Sequence, residues 1–490
     1  MEPLKIGARR EVCWDEALVA SAEGISVRMH RPVFQNVALV ADAPWEGSTS
    51  SYFSLIREDG FFRLYYRGMD SGPEGSDLLS ELPHVPVTCY AESTDGKVFH
   101  RVNTGICPFD GSTDNNIILD VIKDNISFFK DTNPACLPEE RYKGLAQYKG
   151  QALHLFTSAD GVHFRHARMV ADDAAYDSLN VGFWDGERER YFLFYRGLHG
   201  AIAETSKWTA EMSDMAHNDG IVRDVRVRTS EDFVNWDSPQ RIRFNPARED
   251  LELYTNNVIP YYRAKHMMIG MPTRYVDRYE DAVNFEYLPE RESRAAMIRR
   301  FGRTGTAMTD CVLMTSRDGY TFRRTDEVFL SPGPEDGKSW YYGDCFLCYG
   351  MAETVSDRPG FPNEISLYVG EEERVRSVKL SRYTIRLDGF FSWNCGFAPG
   401  RVVTKPVVFD GSRLSINFAT SALGYVRIRL LDPDGNALEG YDSGRLFGDS
   451  VDRPVDFEKD LASLAGKPVC LEITMSDADL YSFVFENAEN

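Results

Sequence analysis

The chain has 490 residues, more than one ordinary core holds, and 43% hydrophobic with 27% charged residues is a globular balance. Its net charge of −20 repels phosphate backbones, which argues against a nucleic-acid partner, and no run of roughly 18 apolar residues could span a membrane. Aromatics reach 12%, which favours β-structure and suits stacking on flat sugar faces. The start, Met1-Glu2-Pro3-Leu4-Lys5, lacks a basic segment followed by an apolar core. Most of the nine cysteines, such as Cys89, Cys311 and Cys470, lie in apolar runs, and Cys345 and Cys348 form a lone CxxC. Reduced, buried thiols and a cytoplasmic location are the expectation.

In chain order, strand patterns run through Gly24–Arg31, Ser51–Arg57, Phe61–Arg67 and Val87–Ser93. The last ends in a short turn that recurs. Its copies are Ser93-Thr94-Asp95-Gly96, Ser158-Ala159-Asp160-Gly161, Ser230-Glu231-Asp232-Phe233 and Ser316-Arg317-Asp318-Gly319, each followed within three residues by an aromatic. Asp-Gly is hairpin-turn chemistry, since glycine takes a positive φ without steric cost. Regular repeats of this length imply a radial or stacked array. Each copy closes a block with a second strand, rich in Tyr and Phe at Arg190–Arg196 and recurring at His266–Arg274, and a fourth strand follows each turn, as in Phe99–Asn103. Four antiparallel strands make a propeller blade. A fifth block keeps the strands without the turn, at Gly343–Met351, Glu364–Gly370 and Val378–Leu387, and Gly24–Arg31 is expected to close it. The one good helical pattern is Pro289–Phe301, inside a charged insertion.

Gly389–Gly400 reads as a boundary. Short strands follow, at Pro406–Phe409, Arg413–Thr420, Tyr425–Leu431, Val469–Met475 and Tyr481–Phe485, with Asp-Gly turns at Asp410-Gly411 and Asp434-Gly435. The predicted fold is all-β: a five-bladed β-propeller catalytic domain over residues 1–388 and a β-sandwich over residues 389–490.

Antiparallel alternation fixes which loops share a face. The Ser-Asp turns link third to fourth strands, so they lie opposite the mouth and are read as structural. The mouth gathers the starts of the inner strands and the loops after the second strands. Long insertions fall there, at Met69–Pro86, Leu198–Gly220 and Tyr275–Met308. The inner-strand starts are acidic or amide-bearing: Trp45-Glu46-Gly47, Asp124-Asn125, Asp177-Ser178-Leu179-Asn180, Glu252-Leu253-Tyr254-Thr255-Asn256 and Trp340-Tyr341-Tyr342-Gly343-Asp344, with Asp131 at the far end of its strand. Carboxylates crowded into one funnel split their pKa values, which supplies the acid and the base or nucleophile that glycosidic cleavage needs. Arg67, Arg196 and Arg274 end second strands and face the same mouth. The histidines, among them His84, His199 and His217, do not cluster, and there is no HExxH, phosphate loop, dinucleotide fingerprint or Gly-x-Ser-x-Gly.

Five blades, a ring of acids at the axis and an appended sandwich resemble five-bladed glycoside hydrolases of families 32 and 43. The runs Pro44-Trp45-Glu46-Gly47, Tyr176-Asp177-Ser178-Leu179-Asn180-Val181, Leu253-Tyr254-Thr255-Asn256 and Asp477-Ala478-Asp479-Leu480-Tyr481-Ser482-Phe483 look more closely like a bacterial group called family-32-like glycosyl hydrolases. The chain lacks the Asn-Asp-Pro-Asn-Gly, Arg-Asp-Pro and Glu-Cys motifs of the invertases. By blade order alone, the resemblance puts Glu46 at the nucleophile or base, Asp131 near the stabiliser and Asp177 near the acid.

The expectation is exo-acting glycoside hydrolysis, with Glu46, Asp177, Glu252, Asp344 and Asp131 as catalytic candidates. Trp45, Tyr254, Trp340 and Tyr341 would stack on an oligosaccharide or glycoside, and Arg67, Asn180, Arg196, Asn256 and Arg274 would position it. The competing readings are a phosphate-dependent phosphorylase and a non-catalytic carbohydrate-binding protein. No cofactor is required by this chemistry, though carboxylates and amides on the axis could ligate a structural Ca²⁺.

Overall fold

The computed structural model describes residues 2–72, 82–122, 124–200, 220–301, 303–375 and 377–487. Much of the expected mouth loops Met69–Pro86 and Leu198–Gly220, with His217, lies outside the described residues. No described helix is long and apolar enough to cross a membrane.

Five antiparallel blades surround one axis. Their inner strands are Ser51–Glu58, Ile126–Lys130, Val181–Asp185, Ile259–Pro260 and Phe346–Leu347. The second strands follow in sheet order as Phe61–Gly68, Tyr142–Gln147, Arg190–Gly200, Met268–Gly270 and Glu364–Glu371. Apolar side chains from facing blades form the core, such as Leu145, Val181, Phe192 and Phe194. The charged insertion carries the helix Arg291–Phe301.

The four Ser-Asp turns share one bonding scheme. Ser158 Oγ accepts from the Gly161 N–H (2.9 Å) and donates to Asp160 Oδ1 (2.9 Å), which accepts from the N–H groups of Val162 and His163. The turns at Ser93, Ser230 and Ser316 repeat it. Each turn packs on the preceding blade. Tyr65 of blade one donates to the Gly161 carbonyl of blade two (2.8 Å), and Tyr368 of blade five to the Gly96 carbonyl of blade one (2.5 Å). Phe233 replaces the glycine in blade three at φ 62°, with its ring against Phe129 of blade two.

Blade five closes the ring with Val33–Val40, which pairs with Lys379–Arg386. The expected closing segment is corrected here: Ser26–Met29 instead pairs with Phe391–Cys395 in the sandwich. The whole amino-terminal stretch belongs there. Leu4–Gly7 pairs with Val407–Phe409, Arg10–Val12 with Pro468–Glu486, and Val19–Glu23 with Gly400–Thr404. Turn-like residues near position 30 carry no mark of which sheet precedes them, so local pattern could not separate the two partners. The sandwich forms one eleven-stranded sheet system, with Arg413–Leu431 and Pro468–Glu486 as its spine.

Asp388, fully buried, joins the two domains. It takes the place of the missing turn in blade five: its Oδ1 accepts from Tyr261 of blade four (2.6 Å) and from Arg263 (2.8 Å). Its Oδ2 accepts from Ser482 (2.7 Å) and Asn417 (3.3 Å) of the sandwich.

Candidate active site

A funnel of about 600 Å³ opens on the axis at the face opposite the Ser-Asp turns. Its lining follows from strand alternation. Asp124, Asn125, Asp177, Tyr254, Tyr342 and Phe346 enter from inner-strand starts, and Arg67, Gln147 and Glu373 from second-strand ends. Tyr52 enters blade one at φ 57°, a strained conformation for a bulky residue that turns its ring beneath the Arg67 guanidinium (5.1 Å). Tyr52, Tyr254, Tyr342 and Phe346 build an aromatic floor: Phe346 lies 5.9 Å from Tyr52 and 5.6 Å from Tyr254, and Tyr254 lies 5.7 Å from Tyr342.

Two carboxylates face solvent at this floor. The Asp124 side chain is 35% exposed and that of Asp177 39%. Each has a cation beside it. Arg67 lies 3.5 Å from Asp124, and buried Arg196 pairs with Asp177 while stacking 5.8 Å from the Tyr254 ring. Asn125 couples the two sides, accepting from Arg67 (2.8 Å) and donating to the Asp177 carbonyl (3.1 Å). Burial holds the Arg196 guanidinium below its usual range. Across the funnel, the Glu373 carboxyl packs directly on Gly343, where a Cβ would come within 2.4 Å of it. Asp344 lies behind, buried, accepting from the Tyr341 N–H (2.9 Å); burial, and then the charge of Glu373, pushes its carboxyl up to about 8.

The structure brings Asp177, Arg67, Arg196 and Tyr254 together at the funnel and places the other expected residues elsewhere. Glu46 is a correction: the inner strand begins at Ser51, not at Glu46, and Glu46 is buried against Tyr66 (2.5 Å) and Arg101 (2.6 Å). Trp45 beside it donates to Asn116 (2.7 Å). Asp131 lies at the far end of its strand, buried against Lys143 (2.7 Å) and Tyr191 (2.8 Å). Glu252 pairs with Arg223, and neither it nor buried Asp344 is among the lining residues. Asn180 and Asn256 are buried and brace strand starts, Asn180 through the carbonyls of Tyr176 (2.8 Å) and Ser178 (2.9 Å), Asn256 through that of Leu179 (3.3 Å). Tyr341 lies under Arg294 (3.9 Å). Trp340 and Arg274 line a separate cleft of about 720 Å³, where Arg274 pairs with Asp310.

Sequence reasoning did not single out Tyr52, Lys149, Glu373 or Arg374. The rule that found Arg67 and Arg196 at second-strand ends also reaches Glu371-Glu372-Glu373-Arg374 when applied to Glu364–Glu371. As for a calcium ion, no group of three or more His, Cys, Asp or Glu is poised for a metal among the described residues. Asn180 and Asn257 each keep a buried amide oxygen without a hydrogen-bond donor. Two amide oxygens fall short of the roughly six to eight oxygen ligands calcium takes, so the side chains present do not by themselves fit the ion.

No family model and no curated protein matches the chain. Among solved structures, it is similar to an N-acetylgalactosamine deacetylase from F. plautii (12% identity, 74% of this chain and 96% of that one, TM-score 0.43). It is also similar to a β-1,2-mannobiose phosphorylase from Listeria innocua (11% identity, 74% and 97%, TM-score 0.40). A third is a family 43 arabinoxylan arabinofuranohydrolase from Bacillus subtilis (12% identity, 92% and 98%, TM-score 0.37). The chain itself adopts the five-bladed propeller with appended sandwich that its resemblance to families 32 and 43 implied.

Proposed function

We propose that the funnel cleaves a glycosidic bond and that Asp124 and Asp177 are the acting carboxylates. The observation that carries this is the pair of solvent-facing carboxylates on adjacent blades above one aromatic floor. Sugar rings present apolar faces to aromatic side chains, and the bond between two sugars breaks when one carboxyl protonates the leaving oxygen while a second, ionised, acts on the anomeric carbon or on a water beside it. Arg196 stabilises the Asp177 carboxylate and suits it to the ionised role. Asp124, whose contact with Arg67 at 3.5 Å is the longer of the two, is assigned the donation of the proton to the leaving group. Tyr254 and Tyr342 form the stacking surface.

Asp124→Asn and Asp177→Asn keep side-chain volume and remove the acid–base chemistry. Each should lower turnover of a responsive aryl glycoside by about 10²–10⁴-fold while leaving the melting temperature near that of the parent. Parent-like turnover in both variants would overturn these roles.

A further inference from the structure

We propose that the ligand of the funnel carries a negatively charged group, a carboxylate, sulfate or phosphate, held by Arg67, Lys149 and Arg374. The inference deepens the glycosidic reading and rests on it. A molecule with a net charge of −20 repels anions at long range, so an anionic ligand needs local cations to bind. The funnel supplies them from three blades: Arg67 from blade one, Lys149 from the Gln147–Gly150 turn of blade two, and Arg374 from the loop after Glu364–Glu371 in blade five. Arg196 and Arg223 lie just beneath, 5.8 and 5.6 Å from the Tyr254 ring.

The funnel's acids neutralise only part of this charge: Asp124 lies 3.5 Å from Arg67. Asp177 is taken by Arg196, Glu252 by Arg223, and Glu373 is turned onto Gly343 beside Asp344. Lys149 sits exposed at the rim at φ 52°, makes no ion pair among the described residues, and lies over the Tyr148 ring (5.2 Å). Arg67 uses its two terminal nitrogens on Asn125 and the Thr49 carbonyl (2.8 Å each), while its Nε is buried with no acceptor. Arg374 lies on the Tyr342 ring (4.6 Å), which fixes its guanidinium beside the stacking surface.

The anion could be part of the sugar, as in a uronate, or inorganic phosphate acting as the acceptor. With phosphate, its oxygen forms the bond to the anomeric carbon as the glycosidic carbon–oxygen bond breaks, and the departing oxygen takes the proton of Asp124. Titration calorimetry on the full chain with inorganic phosphate, sulfate, D-galacturonate and neutral D-galactose separates the sources. At least one anion should bind tenfold or more tightly than galactose, and its affinity should fall as salt rises. Phosphate binding with phosphate-dependent turnover identifies the acceptor; galacturonate binding alone identifies an acidic sugar. Lys149→Gln, at an exposed turn, should weaken the anion about tenfold without moving galactose, and Arg67→Gln should weaken the anion at least as much.

Equal binding of galacturonate and galactose with no binding of phosphate or sulfate overturns the inference, as does anion binding indifferent to both variants. Turnover of neutral glycosides by such a protein would leave glycosidic cleavage standing. Anion binding combined with undiminished turnover in Asp124→Asn and Asp177→Asn would do the reverse.

Discussion

Asp344 is a carboxyl that keeps its proton at neutral pH, because burial and the neighbouring Glu373 raise it from 3.8 to about 8. Between roughly pH 4 and pH 8 the folded chain therefore holds a proton that the unfolded chain has released, and stability falls as pH rises through that window. Asp344→Asn removes this pH dependence. Its melting temperature should exceed that of the parent by a few degrees at pH 9, with the gap closing toward pH 4; parallel curves across that range would contradict the assignment. Sequence could place Asp344 near the funnel through its inner strand but could not see the Gly343–Glu373 contact, because it joins residues of one blade across a long loop. Glu46 failed for a different reason. Its Trp-Glu-Gly run looks like a strand entry, yet the strand begins at Ser51, and that offset turns the carboxylate onto Tyr66 and Arg101 instead of the mouth.

At the level of single elements, the Ser-Asp turn was fully legible, because every bond it makes lies within six residues. Its docking on the preceding blade was not, since nothing in Tyr65 or Tyr368 announces a distant carbonyl. Ser158→Ala deletes the acceptor for the Gly161 N–H and the donor to Asp160, which should cost about 1–2 kcal/mol by denaturant titration. Turnover should stay at the parent value, since the turn lies on the face away from the funnel. A loss of turnover exceeding the loss of stability would place the turn in the catalytic machinery. The second strands Phe61–Gly68 and Arg190–Gly200 were legible from their Tyr and Phe runs, whereas Met268–Gly270 has none and is shorter than expected; the inner strands Ile259–Pro260 and Phe346–Leu347 are only two residues long and leave little periodicity to read.

Over the whole molecule, alternation and the repeat were enough to predict five blades, but not that the sandwich takes its strands from both ends of the chain. Residues 4–29 contribute four strands to it. A fragment of residues 389–490 lacks all four and should fail to fold alone. Fusing residues 1–31 to that fragment should restore a cooperative melt; a cooperative melt without them would show those strands to be dispensable. The charged contacts between domains are equally split in sequence. Glu11, held down to about 2 despite burial by His266 and Arg317 of blade four, belongs to a sandwich strand, and Asp388 collects Tyr261 and Arg263 on one side and Ser482 on the other.

The split sandwich also sets an order of assembly. On the ribosome, the segments Leu4–Gly7 to Ser26–Met29 emerge before the propeller, yet their partners, from Phe391 to Glu486, are made after it. The propeller, whose ring closes with Val33–Val40 on Lys379–Arg386, can be complete before any of these early strands has a neighbour. Nascent chains thus carry unsatisfied strand edges while the propeller is made, and slow translation of the sandwich strands after it prolongs the time in which those edges can meet another chain.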